Sequence, residues 1–119
     1  MPGSVLGFVG ELGSGKTTFV KYLAREIGSR EIIKSPTYLL LKSYALPNGT
    51  KLHHIDAYRI KSSHDLLSIG IEDIIRDNNS ITIVEWADKV KEILPKRTLW
   101  IEFKYCKNGR EIIDYGTDY

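Results

Sequence analysis

The pattern of apolar and polar residues predicts a strand, a loop and a helix in the first quarter of the chain. Ser4 to Val9 is a short apolar run that ends at a cluster of glycines, which is typical of a buried strand. From Lys16 to Ile27 apolar residues recur at helical spacing, and Gly28 follows where a C-terminal cap belongs. The predicted helical stripe consists of Phe19, Val20, Leu23, Ala24 and Ile27.

A hairpin is predicted in the middle of the chain. Ser35-Pro36-Thr37 opens a predicted strand from Tyr38 to Leu46, and a second strand is predicted from Lys51 to Ala57. Between them, Pro47-Asn48-Gly49 has the residues that favour a turn. Strands joined by so short a turn are expected to pair with each other.

The following segment is predicted to be helical. Ser62 or Ser63 provides a cap, and the helical pattern continues to Arg76. Gly70 is expected to divide this stretch into two short helices. The face predicted to cover the sheet consists of Leu67, Ile71, Ile74 and Ile75.

The last part of the chain predicts a central strand and a second hairpin. Ile81-Thr82-Ile83-Val84 is β-branched throughout, which indicates a buried strand, and it ends at Glu85-Trp86. A short helix is predicted up to Leu94, because Pro95 ends it. The final hairpin is predicted to consist of Thr98 to Tyr105 and Arg110 to Tyr115, turning at Asn108-Gly109.

Length and composition favour one soluble, cytoplasmic domain covering residues 1–119. Cys106 is the only cysteine, so an intramolecular disulfide is excluded, and neither a secretory signal nor a stretch of ~20 apolar residues is present. We therefore expect no membrane association. Lys and Arg total 17 against 15 for Asp and Glu, without a basic block. Because tight nucleic-acid binding needs clustered cations, any contact with RNA is expected to be indirect.

The glycine-rich loop carries the clearest chemistry. Gly10, Gly15, Lys16 and Thr17 fit the pattern G-x-x-x-x-G-K-[S/T], between a strand and a helix as that motif requires. Its glycines let backbone N–H groups approach phosphate oxygens, and the helix directs its unpaired N–H groups at the same phosphates. Lys16 is expected to reach the β and γ phosphates, and the Thr17 hydroxyl to bind magnesium. We predict that ATP contacts Glu11, Leu12, Gly13, Ser14, Gly15, Lys16, Thr17 and Thr18.

This loop predicts an α/β fold of the P-loop NTPase type, a three-layer sandwich with a mixed sheet. Such a site also needs an acid at the carboxyl end of a neighbouring strand to hold Mg²⁺ or its waters. Glu85 follows the most apolar strand, and Asp56 ends the strand that contains His53 and His54. On spacing alone either acid is suitable.

Four motifs together resemble the TsaE family, also called YjeE. They are Gly10 to Phe19, Ser35-Pro36-Thr37-Tyr38, His54-Ile55-Asp56-Ala57-Tyr58-Arg59 and Val84-Glu85-Trp86, in the family's order and within a resemblance that covers about Val5 to Tyr105. The resemblance implies a weak, Mg²⁺-dependent ATPase needed to form N6-threonylcarbamoyladenosine at position 37 of tRNA. It implies TsaB and TsaD as partners that transfer the threonylcarbamoyl group and activate hydrolysis.

The resemblance also implies roles for single residues. Glu85 would complete the magnesium site with Thr17, and Trp86 would lie against adenine. Thr37 and Asp56 would lie near the γ phosphate, with Asp56 orienting the attacking water or assisting the metal. The catalytic residues would thus be Lys16, Asp56 and Glu85.

Three further residues of the third motif have two interpretations. His54, Tyr58 and Arg59 match the family, yet a lone histidine near a strand end is more often packed or on the surface than functional. Arg59 is suited to pair with phosphate or with Asp56. Both interpretations stay open at the level of sequence.

One departure from the family is at the start of the chain. Family members usually have a further strand and helix before the phosphate loop, whereas here the first strand begins almost at Met1. Either this member is minimal or the chain is truncated. The sequence therefore leaves open how that edge of the sheet is covered, and an uncovered edge strand would invite pairing with another chain.

Two other functions are compatible with the same loop. A small-molecule kinase would use it to donate the γ phosphate, but such kinases usually carry an arginine-rich lid that this chain lacks the arginines to form. A nucleotide-gated assembly factor would need ATP binding without its cleavage. The two carboxylates, Asp56 and Glu85, are the residues that separate this last function from an ATPase.

Overall fold

The structure is a computed structural model that describes residues 3–10, 16–28, 41–58, 60, 63–106 and 109–119. The strands are β1 (Val5–Gly10), β2 (Leu41–Ala45), β3 (Lys51–Asp56), β4 (Ser80–Glu85), β5 (Leu99–Cys106) and β6 (Gly109–Gly116). The α-helices are α1 (Lys16–Glu26), α2 (Ser63–Leu67) and α3 (Ile71–Arg76), and 3₁₀ segments lie at Pro47–Gly49 and Ala87–Ile93. Within this part of the chain, no helix is long and apolar enough to cross a membrane.

The described strands form one mixed sheet in the order β2-β3-β4-β1-β5-β6. The four inner strands run parallel, with β1 between β4 and β5. The antiparallel hairpin partners β2 and β6 lie at the two edges. This arrangement confirms the predicted mixed sheet and both predicted hairpins.

Two apolar clusters cover the two faces of the sheet and create three layers. The face that packs against α1, called the α1 face below, buries Phe8, Leu52 and Ile83 against Val20 and Ala24 of the helix. The opposite face packs against α2, α3 and the 3₁₀ helix at Ala87–Ile93. The buried residues of this second cluster include Val5, Ile55, Val84, Leu66, Ile71 and Val90. Each fully buried Leu, Ile or Phe contributes about 1.5–3 kcal/mol. Because successive side chains of a strand point to opposite faces of the sheet, each inner strand contributes apolar side chains to both clusters.

The helical segments agree with the sequence except in their details. Gly70 has φ 81°, a left-handed conformation that suits glycine, and it separates α2 from α3 as predicted. The assignment of Leu67 to the buried face was wrong, because Leu66 is fully buried whereas Leu67 is 39% exposed. The break at Gly70 gives α2 its own helical phase. The predicted helix before Pro95 is a 3₁₀ helix with a kink at Val90.

Candidate functional site

Two carboxylates meet at the carboxyl edge of the parallel strands. Asp56 ends β3 and Glu85 ends β4, and the parallel register makes these two residues direct neighbours. Side chains an even number of residues apart on a strand lie on the same face of the sheet. Asp56 therefore lies on the same face as Leu52 of β3, and Glu85 on the same face as Ile83 of β4. Both Leu52 and Ile83 pack on the α1 face. Both acids therefore belong to the layer that contains α1.

Asp56 also fixes the backbone of the turn that follows β3. Its Oδ1 accepts a hydrogen bond of 2.9 Å from the backbone N–H of Tyr58, which is an Asx-turn contact. The N–H of Ala57 donates to the carbonyl oxygen of Glu85 at 3.0 Å. These contacts hold the chain after β3 against the end of β4.

Glu85 is buried, and its carboxylate has a histidine partner. The side chain of Glu85 is 4% exposed, and that of His54 is inaccessible to solvent. His54 Nε2 forms a hydrogen bond with Glu85 Oε2, with the ring N–H as the donor and the carboxylate oxygen as the acceptor. His54 Nδ1 is also buried and has no hydrogen-bond partner among the described residues. Thus His54 is packed, as one of its two interpretations predicted, and it contacts a predicted site residue as well.

Trp86 has an unusual backbone and lies within an aromatic and basic cluster. Its φ of 58° is the one positive value at a non-glycine residue in the described part of the chain. The Tyr58 and Trp86 ring centroids are 5.1 Å apart, and Lys89 Nζ lies 5.4 Å and 6.0 Å from them, respectively. Lys89 Nζ also donates to the carbonyl oxygen of Tyr58 at 2.6 Å. Left-handed backbone at a bulky residue is sparsely populated and recurs at functional sites.

Lys89 was missed by sequence reasoning, although one signal was available. It follows Trp86 by three residues, which is one turn of a 3₁₀ helix, and its N–H donates to the Trp86 carbonyl at 3.1 Å. Lys89 thereby connects the segments after β3 and β4. The His54–Glu85 contact could not be found in the same way, because these residues are 31 positions apart.

The start of α1 and the end of β1 bracket the predicted phosphate loop. Gly10 has φ 142°, and a Cβ at this position would lie 2.3 Å from the carbonyl oxygen of Phe103. Only glycine allows so close an approach to β5. α1 then begins at Lys16, so its N-terminus follows directly on the loop.

Several predicted site residues lie beyond what the structure describes. Lys16, Thr17 and Thr18 are in the first turn of α1, but the predictions for their side chains are outside the description. The other predicted residues outside the described part of the chain are Glu11, Leu12, Gly13, Ser14, Gly15, Thr37 and Arg59. The structure thus brings together Asp56, Glu85 and Trp86 from the predicted set.

The donor chemistry at this edge fits magnesium. Asp56 and Glu85 offer hard oxygen ligands, and Mg²⁺ is typically held by one or two carboxylates, several waters and substrate phosphates. Within the described ranges no group of three or more His, Cys, Asp and Glu side chains is arranged to hold a metal. In P-loop NTPases a nucleotide-bound Mg²⁺ is held by a loop Ser or Thr together with a carboxylate, and Asp56 and Glu85 each offer such a carboxylate.

The fold and the position of these residues define a class of protein. A mixed sheet with a parallel centre, in which β1 leads through a glycine-rich sequence into α1 and acids end two neighbouring parallel strands, is a P-loop NTPase-type fold. The chain belongs to the TsaE family, since residues 1–112 match the family model described as "Threonylcarbamoyl adenosine biosynthesis protein TsaE".

Individual relatives agree with this family. The chain is 38% identical over 111 residues to the tRNA threonylcarbamoyladenosine biosynthesis protein TsaE of Treponema pallidum, covering 92% of this chain and 80% of that protein. It is 35% identical over 103 residues to the protein of the same name from Haemophilus influenzae, covering 87% of this chain and 64% of the relative's length. The crystal structure of YdiB from Bacillus subtilis superposes with a TM-score of 0.75 at 32% identity, over 98% of this chain and 70% of YdiB.

Proposed function

We propose that this chain binds and hydrolyses ATP as an accessory subunit of an assembly that modifies adenosine 37 of tRNA with a threonylcarbamoyl group. The family supports the pathway, because the relatives are named for threonylcarbamoyladenosine biosynthesis. The observation that carries the ATPase part is the pairing of Asp56 with Glu85 in the α1 layer, at the edge where α1 begins. Water-orienting and metal-holding acids occupy this position in P-loop enzymes.

The phosphate loop supplies most of the binding in this proposal. Backbone N–H groups from Glu11 to Thr18 would surround the phosphates, and Lys16 would pair with the β and γ groups. Thr17 and Glu85 would hold magnesium, which supplies charge neutralisation at the phosphates when bound. Trp86 would lie against the adenine ring, because its partly buried ring and constrained backbone suit a base-stacking surface.

The remaining residues act on the γ phosphate and its water. Thr37 senses the phosphate, and Asp56 orients the attacking water or assists the metal. Asp56 is suited to either role because its carboxylate also caps the turn to Tyr58, which restricts its orientation. Catalysis in such a site consists of positioning and charge stabilisation more than of covalent chemistry.

Partners complete the activity. We infer that TsaB and TsaD transfer the threonylcarbamoyl group, contact tRNA and stimulate hydrolysis. The net charge of +2 supports this division, because a chain without a basic block offers little affinity for RNA. Isolated hydrolysis is expected to be slow, since ATPases commonly need a partner to complete the charge stabilisation.

The test is ATP hydrolysis by the chain alone and with TsaB and TsaD, measured beside equilibrium binding of ATP. Asp56→Asn and Glu85→Gln should retain nucleotide binding but lower stimulated kcat by at least ~10²-fold, in the range for loss of a catalytic acid or base. Asp73→Asn is a matched control, because Asp73 is an exposed carboxylate on α3 in the other layer. If Asp56→Asn and Glu85→Gln hydrolyse ATP as fast as Asp73→Asn and the native chain in the presence of the partners, the proposal is refuted.

A further inference from the structure

His54 is placed to orient the carboxylate of Glu85. It lies on β3 opposite Ile83 of β4, so Glu85 is two residues further along the same face of the neighbouring strand. The side-chain contact joins Nε2 to Oε2, and both groups are buried. One of the two carboxylate oxygens of Glu85 is therefore tied to the sheet itself.

Packing alone does not favour a histidine at this position. Its buried neighbours on the α1 face are aliphatic: Leu52 lies two residues before it on β3 and Ile83 lies beside it on β4, whereas Lys42, opposite it on the edge strand β2, is exposed. Burying Nδ1 without a hydrogen-bond partner among the described residues is unfavourable, and an apolar side chain would avoid this. The hydrogen bond to Glu85 is the gain that distinguishes histidine from leucine here.

We propose that His54 is a positioning residue that holds the Glu85 carboxylate in the orientation needed to bind magnesium or one of its waters. The inference rests on the proposed function, because it assigns that task to Glu85. Outer hydrogen-bond partners fix the orientation of metal-ligating groups, and their loss typically lowers metal affinity or activity ~10–100-fold. His54 acts through Glu85, its buried hydrogen-bond partner.

The test compares substitutions that differ in their hydrogen-bond donor. The amide nitrogen of glutamine reaches about as far as Nε2, so His54→Gln keeps a donor for Oε2, whereas His54→Asn is too short and His54→Leu has no donor. His53→Gln is the matched control: His53 is adjacent in sequence, lies on the opposite face and contacts Ser43 through Nδ1 at 2.8 Å. Circular dichroism and thermal unfolding establish that each variant is folded.

The readout is the affinity for Mn²⁺ of the chain saturated with a non-hydrolysable ATP analogue, measured by electron paramagnetic resonance. Affinity for the analogue without metal is the reference. We expect His54→Leu and His54→Asn to weaken Mn²⁺ binding ~10–100-fold. His54→Gln and His53→Gln should remain within about threefold of the native chain, and metal-free analogue affinity should hardly change in any variant.

Glu85→Gln, measured in parallel, separates the two proposals. If Glu85→Gln weakens Mn²⁺ binding but His54→Asn and His54→Leu do not, the role of His54 is refuted and that of Glu85 stands. If Glu85→Gln also leaves Mn²⁺ affinity unchanged, the proposed roles of His54 and of Glu85 in metal binding are both refuted. Should His54→Leu fail to fold, the difference between His54→Asn and His54→Gln decides, and equal affinities in that pair would overturn the proposal.

Discussion

Trp86 combines a constrained backbone with a proposed role in nucleotide binding. Trp86 has a left-handed backbone, contacts Tyr58 and lies beside the acid Glu85, so its ring is constrained next to the proposed nucleotide. The other tryptophan of the chain, Trp100, is 4% exposed and stacks on Tyr119 with ring centroids 5.0 Å apart. The two indoles therefore report on different parts of the molecule.

Indole fluorescence should locate the base. We expect ADP to change the emission of the native chain and of Trp100→Phe, but not that of Trp86→Phe, because only Trp86 lies beside the proposed site. Titration of each variant with ADP, with binding checked independently by calorimetry, makes the comparison. An equal response from Trp86→Phe would place the base elsewhere.

His53 is a residue at which pH should change stability. Burial lowers the pKa of His53 below 6.5, Lys51 lowers it further, and Asp77 acts in the opposite direction. The unfolded state thus binds a proton more readily than the folded state. The contribution of His53 is complete above about pH 6.5 and is lost as the pH falls through the folded-state value.

Urea unfolding between pH 7.5 and 5 tests this sign. The free energy of unfolding of the native chain should fall more steeply with decreasing pH than that of His53→Gln, which cannot titrate at this position. Subtracting one curve of unfolding free energy against pH from the other removes the contribution of the carboxylates that both chains contain. A difference that is flat, or that grows in the other direction, would contradict the assignment.

At the level of elements, most of the architecture could be predicted from local patterns. The β-branched run that became β4, the glycine loop between β1 and α1, and the turn at Pro47–Gly49 each have strong local signals. Which of Leu66 and Leu67 is buried could not be predicted, because it depends on where α2 begins. The His54–Glu85 contact depends on the register of two strands, which tertiary packing sets.

The junction of β1 with β5 should be sensitive to a single methyl group. Gly10→Ala combines a positive φ with a Cβ placed 2.3 Å from the Phe103 carbonyl oxygen, whereas Gly49→Ala has a positive φ but open space around it. Strain of this backbone kind costs about 1–3 kcal/mol. We expect Gly10→Ala to lower the free energy of unfolding more than Gly49→Ala, as measured by urea unfolding. Equal losses would mean that the contact with β5 is not restrictive.

At the scale of the whole molecule, charge argues for indirect recognition of tRNA. The chain has 17 basic and 15 acidic residues, a net charge of +2, so few counterions would be released from RNA on binding. Fluorescence anisotropy with labelled tRNA at physiological salt should give a Kd weaker than ~10 μM for the isolated chain. A submicromolar Kd that persists in salt would instead indicate a dedicated RNA surface.

The central claim is that ATP cleavage at the Asp56–Glu85 edge supports repeated rounds of tRNA modification. The most direct measurement is the number of threonylcarbamoyl groups added to tRNA per chain, in an assembly reconstituted with TsaB and TsaD and containing either the native chain or Glu85→Gln. Under this claim each further round needs hydrolysis, so the Glu85→Gln assembly should bind ATP and stop at about one product per assembly. Sustained multiple turnover with Glu85→Gln, while its ATP hydrolysis is absent, would contradict the claim.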